Sequence, residues 1–180
     1  FNMGGDIGLV NPRFEAAQSS VEAAPFIELD FCRGYCVLIK REVMDKIGTL
    51  DEDYGLGYYD DDDYSVRAIR GGYRCVRANL VTVEHLRDTT FKKIFAEDKR
   101  LALHEKNKKL FYSRWGRRLK IVFILAKESG QDKLSEILLA LARRQHIVRI
   151  WSIGRPVRLP HINIRSRVIP RFLLRPITMV

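Results

Sequence analysis

Four consecutive aspartates, Asp60, Asp61, Asp62 and Asp63, lie in residues 58 to 72 (YYDDDDYSVRAIRGG), the densest group of ionisable side chains in the sequence. Adjacent carboxylates repel. A fold keeps such a run where it is solvated, where it meets a helix N-terminus, or where it meets a cation. The residues after the run favour the helix, since Tyr64, Ala68 and Ile69 share one helical face, Arg67 and Arg70 occupy others, and Gly71-Gly72 supplies a stop. The aspartates are then expected to cap that helix. Its unpaired N–H groups and positive dipole end would hold at least one carboxylate ionised, oriented and with its pKa held down. A fixed carboxylate can serve as a base. The competing reading is a solvated acidic loop above a surface helix. A calcium loop fits poorly: counted from Asp51, Asp53 and Asp62 are in register, but Gly55 and Leu56 stand where a ligand and the turn glycine belong.

The other chemistry-bearing residues are sparse. His85, at the end of a strand-like run, is a candidate metal ligand or a structural histidine. His104 lies in a charged helical run and is expected to be exposed, His146 falls between a helix and a strand, and His161 follows a proline. Cys32, Cys36 and Cys75 invite a zinc reading with His85, but a C-x-x-x-C pair on an extended segment holds its thiols too far apart for a tight knuckle. Buried free thiols are expected. An odd cysteine count without a signal sequence fits a reducing, cytoplasmic compartment.

These residues need elements to position them. Residues 7 to 10 read as a strand and 97 to 114 as a charged helix. Residues 119 to 126 (LKIVFILA) are a continuous apolar run suited to a strand buried on both faces. In 132 to 145, Leu134, Ile137, Leu138 and Leu141 form an apolar helical stripe with Asp132 as N-cap, and 147 to 153 is a further strand. Strand, helix and strand at this spacing form a βαβ unit with parallel strands. Charge divides the chain at the same place, with 18 Lys or Arg against 19 Asp or Glu through Gly116, and 14 against 3 beyond it. Residues 154 to 180 carry six arginines and no acid. They read as a basic loop leading into a strand near 166 to 169, although contact with nucleic acid or anionic lipid is an alternative. No run is apolar enough to span a membrane. The length of 180 residues, 46% hydrophobic and 30% charged, suits one ordinary α/β domain, or one and a part.

Residues 31 to 85 carry six landmarks in order: Gly34 with the run from Cys36 to Lys40, Arg41-Glu42-Val43, the G-x-x-D-E of Gly48 to Glu52, the acidic helix start at Asp60, Gly72-Tyr73-Arg74, and a strand leading to His85. This order resembles the C-terminal half of a family-two glycosyltransferase domain of the GT-A fold. Ile7 to Pro12 resembles the segment that comes after the nucleotide-binding half of such domains, so residues 1 to 116 are expected to be the C-terminal part of that domain. The donor-binding half is expected to lie outside this chain, leaving the chain inactive alone. The resemblance implies inverting transfer of a sugar from a nucleotide-sugar donor to a hydroxyl of a glycan, lipid-linked or protein acceptor. It makes Asp61 the general base with Asp60 beside it, where the family usually has glutamate. It assigns Arg33, Gly34, Asp63 and Arg67 to substrate binding and His85 to a divalent cation (Mg or Mn) held mostly by the other half.

Residues 117 to 180 resemble the opening of the N-terminal Rossmann-like domain of a GT-B glycosyltransferase, with "K-I-x-F-I-L" leading to "L-A-R-R-x-H-x-V". A single Gly130 stands where that family has two glycines. The expected fold is thus α/β: a partial GT-A domain followed by a truncated βαβ Rossmann-like unit. The implied setting is cytoplasmic, with the basic tail free to touch the inner face of a membrane, and with no nucleic acid. The rival is a non-enzymatic α/β module whose basic tail docks on nucleic acid or anionic membrane.

Overall fold

The computed structural model describes residues 5–14, 24–85, 93–125 and 131–170, with 131 and 132 described by backbone only. The chain forms two compact units, Phe1–Arg117 and Arg118–Val180, dividing within two residues of the charge break. Both are mixed α and β.

In the first unit β1 (Ile7–Phe14), β2 (Phe26–Leu29), β3 (Leu38–Ile39) and β4 (Arg74–Val83) form a mixed sheet in the order β2-β4-β1-β3. The central pair, β1 and β4, is parallel, and the outer pairings are antiparallel. Helices α1 (Arg41–Ile47), α2 (Asp60–Arg70) and α3 (Glu97–Trp115) complete the unit. Helix α2 buries two faces. Tyr64 and Ala68 join Leu9, Leu29, Cys32, Val43 and Cys75 against the sheet, and Val66 joins Tyr54 and Phe111 against α3. Chain paths are tight where α1 meets β1. A Cβ on Gly8 would lie 2.7 Å from Val43 Cγ2 and 2.8 Å from Tyr73 Cβ, so only glycine fits the irregularity between Ile7 and Leu9.

In the second unit β5 (Lys120–Leu125), α4 (Gln131–Arg143), β6 (Ile147–Ser152) and β7 (Ile164–Val168) form the expected βαβ unit plus one strand. All three strands are parallel, in the order β5-β6-β7. Leu138 and Ala142 of α4 pack on Val148, Ile150, Phe123, Leu125 and Ile164. One expectation is corrected here. β5 is buried on one face only: Ile121, Phe123 and Leu125 are half-buried, while Lys120, Val122 and Ile124 are exposed. The apolar run reflects two different faces of one strand, not two covered ones. His161, read as a tail residue, is buried, and its Nδ1 accepts the Asn163 N–H. Asp132, expected as the N-cap, falls within α4 as its second residue, with its side chain outside what is described, and the tail arginines beyond Pro170 also lie outside it.

Candidate functional site

The acidic helix starts abruptly. Tyr58 and Tyr59 both adopt left-handed backbone, with φ of 65° and 69°, an uncommon conformation for residues with a side chain. Tyr59 is the N-cap and offers no side-chain cap, so the aspartates occupy the first turn of α2 itself. The run meets a helix N-terminus as expected, but none of the four aspartates is the capping residue. The strained approach has an identifiable clamp. Asn107 of α3 is fully buried, and its Nδ2 lies within hydrogen-bonding distance of the carbonyls of Tyr54 (2.7 Å), Gly57 (2.8 Å) and Tyr58 (3.1 Å). Tyr59 also packs against Phe111, 5.3 Å between ring centroids.

The four aspartates then divide into two groups. Asp63 is buried within the fold, its Oδ1 accepting from Tyr54 Oη (3.2 Å) and Trp115 Nε1 (2.8 Å) and its Oδ2 from Arg67 Nε (2.8 Å). Arg67 directs its remaining donors to the carbonyls of Ile47 and Thr49, each at 2.8 Å. Arg114, beside this group, bonds Asp51 at 2.8 Å and also Asp53. Asp63 and Arg67, expected at a substrate, are therefore framework residues: their hydrogen-bonding groups are engaged inside the protein and tie α1, α2 and α3 together.

Asp61 is held differently. Its Oδ2 accepts the Gly34 N–H at 2.8 Å and its Oδ1 the Asp62 N–H at 3.0 Å, while the residue stays partly open to solvent. Two backbone donors thus fix both oxygens, and each retains a lone pair for a further partner. The loop carrying Gly34 is itself fixed. Buried Asn11 of β1 donates from Nδ2 to the carbonyls of Arg33 (2.9 Å) and Cys36 (2.6 Å) and accepts the Arg33 N–H at Oδ1 (2.6 Å). Ser65 adds a second stitch, donating to the Asp61 carbonyl (2.8 Å) and accepting the Cys32 N–H (2.9 Å). Arg33 is exposed, its guanidinium 5.1 Å from the Phe31 ring centroid.

The pKa of Asp60 is raised by burial and then by the charge of Asp61. That of Asp62 rises to about 7, first through burial, then through Asp61, against the lowering effect of Arg33. For these two residues desolvation and mutual repulsion outweigh the helix dipole.

His85 is reached through the same loop. Its ring lies 5.0 Å from Tyr35 and 5.9 Å from Phe14, and Tyr35 Oη donates to the Pro12 carbonyl at 3.0 Å. The fold therefore links Asp61, Gly34, Arg33 and, through Tyr35, His85. Among the described residues no group of three or more His, Cys, Asp or Glu could hold a metal ion, so His85 is not part of such a group there. Cys32 and Cys75 are buried free thiols, as expected, while Cys36 is exposed, on an irregular segment with a turn at 34 and 35 where a strand was expected. The Cys32 thiol is pushed up, chiefly by its contact with Cys75 and by burial. His104, expected in solvent, is half-buried against Tyr58 and Tyr59, with ring centroids 5.4 Å away in each case.

Residue-by-residue reading missed Asn11, Ser65 and Asn107. Their signal was weak, a polar residue on an otherwise apolar face, and each is explained only by the loop it meets. No protein-family model, curated protein or solved structure matches the chain.

Proposed function

We propose that the first unit is the acceptor-side part of an inverting glycosyltransferase of the GT-A type, with Asp61 as its general base. One observation carries this reading: the Asp61 carboxylate is held at both oxygens by backbone N–H groups in the first turn of α2, and is still open to solvent. An acceptor hydroxyl must lose its proton as its oxygen attacks the anomeric carbon and the bond to the leaving nucleotide diphosphate breaks. A fixed, accessible carboxylate oxygen takes that proton without costing reorganisation at the moment of reaction. Asp60 stands next to it as a second carboxyl, and exposed Arg33 on the loop held by Asn11 supplies positive charge for the anionic donor.

A divalent cation belongs to the activity that the resemblance implies, but the described residues do not make a site for one, and no step is assigned to it. The second unit is proposed to open a Rossmann-like domain on the strength of its parallel β5-α4-β6 unit. Short βαβ units occur in many folds, so this part of the proposal concerns architecture alone.

The test is Asp61→Asn in the protein as the cell makes it, assayed for transfer from nucleotide-sugar donors. Turnover is expected to fall about 10²- to 10⁴-fold with little change in donor affinity. Retained turnover would remove Asp61 as the base.

A further inference from the structure

Among the described residues, the face of the second sheet turned away from α4 is largely exposed and has a composition of its own. Side chains alternate across the strands, so one face meets α4 and the other carries Lys120, Val122 and Ile124 of β5, Ile147, Arg149 and Trp151 of β6, and Arg165 and Arg167 of β7. Register arranges these into rows. Val122 stands beside Arg149, which stands beside Arg165; Ile124 stands beside Trp151, which stands beside Arg167. Val122, Ile124 and Trp151 are 47%, 53% and 41% exposed, and the two β7 arginines are exposed.

Two features of this face suit a partner. Arg149 and Arg165 are like charges on register-paired positions of neighbouring strands, a repulsion that an anion between them would relieve. No strand of this sheet carries an aspartate or glutamate to supply it. A tryptophan and two branched aliphatic side chains are also left in water next to those arginines, which is the composition of a surface that enters a lipid interface.

We infer that this face of the second unit docks on an anionic lipid bilayer, with Arg149, Arg165 and Arg167 on lipid phosphates and Val122, Ile124 and Trp151 at the boundary with the acyl chains. Charge complementarity selects this occupant. A second copy of the chain would bring arginine against arginine. Single-stranded nucleic acid would satisfy the arginines but needs several rings to stack its bases, and the face offers one, with aliphatic side chains where others would stand. The surface differs from the arginine-rich segment beyond residue 154 as a whole, because only β7 of that segment contributes to it, and it is independent of Asp61.

The full 180-residue chain is incubated with phosphatidylcholine vesicles, with and without about one third phosphatidylserine, and binding is followed by co-sedimentation and tryptophan emission. Binding to the anionic vesicles alone is expected, weakening as salt rises, with a blue shift that Trp151→Phe removes. The double variant Arg165→Ser/Arg167→Ser should bind about 25-fold more weakly, about fivefold per arginine. The charge-matched Arg155→Ser/Arg158→Ser variant, altered outside the three strands, should lose no more than about twofold. Equal losses in the two doubles would show that total charge, not this face, does the binding. Absence of vesicle binding, or capture of single-stranded RNA in preference to anionic vesicles, would equally overturn the assignment.

Discussion

The molecule gathers like charge in two places and treats it in two ways. At the start of α2 four carboxylates are accommodated internally: Asp63 by Tyr54, Trp115 and Arg67, Asp61 by two backbone N–H groups, and Asp60 and Asp62 by a raised proton affinity. On the outer face of β6 and β7 three arginines stand on neighbouring register positions with no acidic residue in the sheet. Repulsion that a fold resolves with its own donors becomes part of the fold. Repulsion it leaves in water is open to relief by a partner outside it.

The largest break in this comparison should come from Asp63. Asp63→Ala leaves the Tyr54, Trp115 and Arg67 donors without their buried acceptor, and should cost about 3–5 kcal/mol in urea unfolding. A cost no greater than that of an exposed arginine substitution would end the claim that this cluster is internally resolved. Next is Asn107→Ala, which frees the three carbonyls before the acidic turn and should cost about 2–3 kcal/mol.

Asp62 sharpens the contrast through pH. Its folded pKa of about 7 lies above the ordinary 3.8, so the native state holds a proton that the unfolded chain has lost. The stability tied to that proton is complete below about pH 4 and disappears as pH rises through 7. Asp62→Asn should therefore stabilise by about 1–2 kcal/mol at pH 8, after allowance for partial exposure, and by almost nothing at pH 3. Thermal melts at the two pH values provide the check, and an equal gain at both would contradict burial as the cause. The smallest effect belongs to the second cluster. Arg165→Ser should change stability by less than about 0.5 kcal/mol, in the stabilising direction because Arg149 opposite is relieved.

Much of the element order was legible because it rests on local patterns. The helix after the aspartates ends at Gly71-Gly72, the helix expected over 97 to 114 spans Glu97–Trp115, and the βαβ unit has its strands and helix within a few residues of the expected limits. The misreadings share a cause. The run 119 to 126 was apolar on both faces, and hydrophobicity alone cannot say whether a second layer covers a strand. Asp63 looked like Asp60 and Asp61 in sequence, yet a step of about 100° per residue around α2 turns it toward the protein. Asn11 and Asn107 were illegible because their partners lie 22 or more and 49 or more residues away.

By itself the sequence settled where charge collects, where helices and strands can run, and that two regions of different charge succeed each other, since all three depend on composition and short-range periodicity. Tertiary structure alone decided which of four adjacent carboxyls is framework, which is presented to solvent between two backbone donors, and which face of a sheet is exposed among the described residues. Those outcomes depend on contacts between residues far apart in the chain, where desolvation and hydrogen-bond supply outweigh residue type.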